Sequence, residues 1–96
     1  MEEQKKYTRI VKIHKAEIPE SMQEKAIYRV NQAMDKFQIE KDIATSVKKK
    51  CDEEFGGTWH VICGRNFGCS IKHDTKFVLF VQVDLLHVMI FKSLEA

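Results

Sequence analysis

The stretch that most constrains this chain is its last third, where Lys76 to Val83 and Leu85 to Lys92 read as two strands that are apolar on both faces. Phe77, Leu79, Val81 and Val83 line one side; Val78 and Phe80 line the other, with Met89 and Phe91 beside them. An antiparallel sheet ordinarily wets its second face. Two helices can cover one face of a four-stranded sheet, and the other then needs a cover from elsewhere. Left open, it makes an apolar patch too large for a stable monomer. A second copy of the chain is the simplest cover, so a dimer is expected.

The rest of the sequence supplies the two helices. Residues 1–8 are expected to form a flexible N-terminal extension, Met1 to Lys6 being polar, and residues 9–96 a single domain. Imperfect alternation from Thr8 to Ile13 predicts a short strand. Pro19 and Glu20 suit the first turn of a helix. Met22, Ala26, Ile27, Val30, Ala33, Met34 and Phe37 then recur at steps of three and four, as one apolar stripe. A second helix is predicted over Lys41 to Phe55, with Ile43, Val47, Cys51 and Phe55 four apart and Gly56-Gly57 as its stop. The period then falls to two. Thr58 to Gly64 and Phe67 to His73 are predicted strands, joined by the turn residues Gly64-Arg65-Asn66. The expected fold class is α+β: a strand, two helices, then a four-stranded antiparallel sheet. Phe67 to His73, short and interrupted by Gly68 and Ser70, has the composition of an edge strand open to strand addition.

Several chemistries are excluded by spacing and charge. Three cysteines and no signal peptide suggest a reducing compartment, cytosol or nucleus. A formal charge of +2 gives no reason to expect nucleic acid, and Lys48-Lys49-Lys50 is followed on its own helix by Asp52, Glu53 and Glu54. Gln82 and Asp84 interrupt the best apolar run, so no membrane partner is expected. His60, Cys63, Cys69 and His73 invite a zinc reading, but His60 and Cys63 point to opposite faces of one strand and no metal is expected. Gly64-Arg65-Asn66-Phe67-Gly68 lacks the lysine and helix of a phosphate loop. His73 and Asp74 are adjacent, so their side chains diverge and no thiol triad forms. Neither catalysis nor a cofactor is expected.

Five separate motifs carry a resemblance. Ile39-Glu40-Lys41-Asp42-Ile43-Ala44, Thr58-Trp59-His60, Gly64-Arg65-Asn66-Phe67-Gly68, His73-Asp74-Thr75-Lys76 and Phe91-Lys92-Ser93 closely resemble the eight-kilodalton dynein light chains, in the same order and from about Ala16 to Ser93. The resemblance implies a dimeric sandwich in which each subunit lends a crossing strand, here Phe67 to His73, to its partner. It implies a light chain domain over residues 9–96 that serves as a non-catalytic dynein subunit and peptide-binding hub. Glu40, Lys41 and the stretch Asn66, Phe67, Gly68, Cys69, Ser70, Ile71, Lys72 and His73 would then form the peptide groove. Phe80, Gln82, His87 and Met89, with Val78, would stand behind it, and His60 and Ser93 would sit by the dimer interface. The partners implied are a dynein intermediate or heavy chain complex, disordered client peptides, and a second light chain in a homodimer or heterodimer. The implied location is cytoplasm and cytoskeleton, with a cilium or flagellum axoneme as the specialised case.

Departures from the family pattern fall on the client side. Ser70, Lys72 and Asp84 replace the family's Tyr, Thr and Gly, and Gln82 and His87 occupy its groove-floor Tyr and Ala positions. A dedicated structural subunit of an axonemal dynein is therefore the alternative expectation.

Overall fold

A computed structural model describes residues 9–65 and 77–92. The elements are β1 (Val11–Glu17), α1 (Glu20–Lys36), α2 (Glu40–Phe55), β2 (Trp59–Gly64), β3 (Val78–Val83) and β4 (Leu86–Lys92). Four antiparallel strands pair in the order β1-β3-β4-β2. Two helices and a four-stranded antiparallel sheet are what the sequence predicts, but the fourth described strand is β1. The predicted strand Phe67 to His73 and the extension 1–8 lie outside the described residues.

β1 also runs later than expected, to Glu17 and not Ile13. Two features hide it from a period-two reading. It is an edge strand with most of its side chains in solvent, and its register with β3 slips between Ile13 and Lys15, leaving His14 at the irregularity. β3 starts at Val78 and, as predicted, ends at Val83; β4 starts one residue later than predicted, at Leu86, because Asp84 and Leu85 make the turn between them. Asp84 takes φ 56, a conformation that Asp tolerates through local hydrogen bonding. Its Oδ1 accepts the N–H of Ile10, and its own N–H bonds back to the Ile10 carbonyl, which docks the start of β1 on the hairpin.

Both helices obey their apolar periodicity. Ala26, Val30 and Ala33 of α1 and Ile43, Val47 and Cys51 of α2 are buried, and they meet Trp59, Leu79, Val81, Val83, Leu86, Val88 and Ile90 in one core. Pro19 stands one position before α1, where its carbonyl accepts the N–H groups of Met22 and Gln23. Arg29 of α1 pairs with Glu54 of α2 and clips the two helices together. Asn31 is the one buried polar residue of the described core. It donates to the Ile27 carbonyl and accepts from Arg9, so its burial costs little. Gly56 and Gly57 stop α2 with φ of 77° and 84°. A Cβ on Gly57 would stand 2.7 Å from the end of the flexible Lys92 side chain, which can shift aside, so it is the positive φ that demands glycine there.

Candidate functional site

Strand alternation divides the chemistry of this sheet between two faces. Leu79, Val81 and Val83 of β3 point to the helices with Val88 and Ile90 of β4. The cross-strand pairs Val78 with Phe91, Phe80 with Met89, and Gln82 with His87 therefore share the opposite face. On the neighbouring strand His60 lies opposite Phe91, with its ring 5.3 Å from the phenyl, and Ile62 lies opposite Met89. Val78 and Met89 are buried, Phe80 and Phe91 are half-buried, and Ile62 keeps 43% of its surface.

Polar atoms on this face are organised by β1. His14 lies 5.1 Å from the Phe80 ring and 5.9 Å from the His87 ring. Its Nε2 meets Gln82 Oε1 at 3.3 Å, while Gln82 Nε2 donates to the Asp84 carbonyl at 2.9 Å. His87 Nδ1 lies 3.2 Å from the Arg65 carbonyl. His14 was not among the residues singled out from sequence. It stays exposed at the register slip between Ile13 and Lys15, and that slip leaves no sequence signal.

Glu40 and Lys41 open α2 at the other side of the sheet. Both are exposed, as is Ile39 before them. Glu40 stands near the half-buried Cys63 thiol, and it lines a cleft of about 550 Å³ with Met34, Phe37, Ile43 and Arg65 and the Asp84–Leu86 turn. Ile43, Val47 and Cys51 anchor this helix in the core, which fixes Glu40 and Lys41 on the helix side. One chain thus holds Glu40 and Lys41 on one face, and Phe80, Gln82, His87 and Met89 on the other. Asn66, Phe67, Gly68, Cys69, Ser70, Ile71, Lys72, His73 and Ser93 lie outside the described residues.

The two described thiols are poorly suited to nucleophilic work. Burial pushes Cys51 and Cys63 each up to about 12, with Glu54 and Asp52 adding to the first and Glu40 to the second. Cys63 belongs to the helix side and His60 to the other, as predicted from their spacing. Among the described residues no three of His, Cys, Asp and Glu cluster as metal ligands, and no helix is long and apolar enough to cross a membrane.

The sheet's two edges differ in kind. β1 offers a broken register and the charges of Lys12, Lys15 and Glu17, all devices that discourage pairing. β2 reads Trp-His-Val-Ile-Cys-Gly, keeps six consecutive pairs with β4, and bears no formal charge. Among the described strands, β2 has the edge better suited to pairing.

A family description for dynein light chain type 1 matches residues 10–93. Among solved structures, the dynein light chain-like domain of the Fasciola hepatica calcium binding protein FhCaBP2 is similar with a TM-score of 0.76 in its native crystal and 0.73 in a mercury derivative, at 14% identity in each. The native pair covers 91% of this chain and 94% of that one, the derivative 88% and 93%. The dynein light chain-like domain of CsTAL3 gives 0.76 at 13% identity, over 88% of this chain and 94% of that one. At such identities the likeness is one of fold.

Proposed function

The chain belongs to the dynein light chain type 1 family, and from that membership we propose a non-catalytic light-chain subunit that works as a dimeric hub for extended client segments. The family is generally non-catalytic, binds dynein chains and dimerises, and it suggests cytoplasmic, cytoskeletal association. Clients add as strands to a groove that two subunits build together, with Phe67 to His73 as the crossing strand. Residues 1–8 act as an extension to a domain spanning residues 9–96.

One observation carries the reading. The residues expected to hold a client are divided between the helix side, with Glu40 and Lys41, and the opposite face, with Phe80, Gln82, His87 and Met89. A single short peptide meets both sets only where a second subunit brings its own helix start alongside. The uncharged, regular β2 edge gives that second chain a place to pair. Sedimentation at micromolar concentration is expected to give twice the monomer mass, with calorimetry giving one peptide per chain. A monomer that binds peptide, or a dimer that binds none, defeats the hub reading.

The second reading, a dedicated structural subunit of an axonemal dynein or a heterodimer with a sister light chain, also has an observation in its favour. Gln82 and His87 already spend polar atoms on Asp84, His14 and Arg65, and so offer less to a passing client. Tagged-chain capture and mass spectrometry separate the two. Many unrelated clients favour the hub, and one dynein complex or one sister chain favours the dedicated subunit.

A further inference from the structure

Where α1 and α2 lie side by side, a cleft of about 70 Å³ opens between them. Gln32, Ala33 and Lys36 of α1 line it with Ser46 and Lys50 of α2. Buried Ala33 is its floor, and each of the other four side chains carries a hydrogen-bond donor. None of the described residues expected to hold a client lines it. Two ammonium groups from separate helices thus share one small opening, and an ammonium donates hydrogen bonds but accepts none.

The carboxylates that could neutralise these lysines are committed elsewhere. Glu54, one helical turn after Lys50, pairs with Arg29. Asp35, beside Lys36, pairs with Arg9 at 2.8 Å, and Asp52 takes Lys48 at 2.6 Å. Glu40, Asp42 and Glu53 are exposed acids of α2, and none of them lines the cleft. Neither Lys36 nor Lys50 has a carboxylate partner among the described residues. The neutral groups add to the same bias. Arg29 Nη1 donates to Gln32 Oε1 at 2.9 Å, which leaves the Gln32 NH2, a pure donor, as the uncommitted end of that side chain. Thr45 gives its hydroxyl to the Lys41 carbonyl at 2.9 Å, whereas Ser46 donates to no carbonyl among the described residues.

Two cations and two neutral donors around one cleft repel each other's charge and call for an anion. We propose that Lys36 and Lys50, with Gln32 and Ser46, bind one phosphate group between the helices, carried by the free anion or by a phosphorylated side chain. Phosphate sets at least three strong acceptor oxygens on one centre, so it reaches donors on both helices at once. At about 30 Å³ per water, the cleft has room for one such group and little more. The helix dipole explains a cation in the last turn of α1, where Lys36 stands, but not Lys50 in the body of α2. That same carbonyl end opposes an anion, and Lys36 is exposed, so free phosphate should bind with a Kd of about 1–10 mM.

Nuclear magnetic resonance of the whole chain, titrated with inorganic phosphate at neutral pH and low ionic strength, tests this. The Gln32 side-chain amide and the backbone amides of Ser46 and Lys50 should shift first and saturate. Chloride at equal ionic strength should leave them in place. Lys36→Gln or Lys50→Gln should weaken binding by at least about threefold, and Lys49→Gln, which removes an exposed charge outside the cleft, should change it by less than about twofold. A phosphoserine tripeptide and its serine counterpart identify the carrier. Tighter binding of the phosphopeptide than of inorganic phosphate points to a phosphorylated segment, and equal binding points to the free anion. First shifts at other sites, the same shifts with chloride, no saturation below about 50 mM phosphate, or equal losses from Lys49→Gln and Lys50→Gln overturn the proposal.

Discussion

Asp52 Oδ1 accepts the backbone N–H of Trp59 at 2.8 Å, which ties the last turns of α2 to the first residue of β2. Its Oδ2 takes Lys48 at 2.6 Å from one turn back. Trp59 is buried, donates Nε1 to the Gly56 carbonyl at 2.9 Å, and meets Phe55 and Phe77 edge-on. The Lys48 bond, then the Trp59 N–H, hold the Asp52 carboxyl below its ordinary range. Because the folded value is depressed, its stabilisation is present above the unfolded carboxyl pKa of about 3.9. It is lost as pH falls through the lower folded value. Asp52→Ala should cost about 1–2 kcal/mol near neutrality, since it orphans a buried N–H. Asp52→Asn keeps an acceptor for Trp59, should cost less, and should flatten the acid limb. Urea denaturation at pH 7 and below pH 4 checks the order. Equal losses from both variants would show that charge on Asp52, and not the Trp59 bond, is what matters.

How much of this was readable in advance depends on the period of each segment. Both helices carry strict three-and-four spacing, and the buried sets Ala26, Val30, Ala33 and Ile43, Val47, Cys51 lie within the stripes read from sequence. β3 and β4 were legible because nearly every position is apolar. The extent of β1 was not, since only Val11 and Ala16 pack against the core and the slip at His14 breaks the alternation. Of the candidate site, the sides of the sheet taken by His60 and Cys63 follow from counting by two. The His14–Gln82–His87 arrangement does not, because it joins residues from three strands and rests on an amide fixed by the Asp84 carbonyl.

Burial makes a chemical prediction about the thiols. With Cys51 and Cys63 raised to about 12, neither holds appreciable thiolate at pH 8. A short pulse of iodoacetamide on the native chain should leave both unmodified, and the same pulse in denaturant should label both. Peptide mass mapping gives the answer site by site. Native labelling of either residue at the rate of a free cysteine would reopen a role in thiol chemistry.

The face opposite the helices makes another prediction. His60 lies there, half-buried against Phe91 and one pair from Ile62. If a second subunit covers this face, His60→Lys places a permanent ammonium in the contact, and desolvating it costs several kcal/mol. Sedimentation should show a folded monomer at concentrations where the parent chain is dimeric, and circular dichroism should show little loss of helix. A His60→Lys chain that stays dimeric would remove His60 from the interface.

Client choice turns on charge near the start of α2. Lys41 is exposed there, and in the proposed dimeric groove the Lys72 position, where the family carries threonine, would lie beside it. Lys72 itself lies outside the described residues, so the argument is one of charge and chemistry. An ammonium donates and cannot accept. Two ammonium groups facing one peptide repel each other unless an anion bridges them. A client with Glu at its centre relieves that repulsion and forms charge-assisted hydrogen bonds that Gln cannot match. In calorimetry with paired peptides differing only there, the Glu peptide should bind several-fold more tightly. Raising the salt concentration should shrink the difference, because the pair is solvent-accessible. Lys72→Thr should restore the preference for Gln. Identical affinities for both peptides in both proteins would mean that Lys72 turns its charge to solvent and plays no part in recognition.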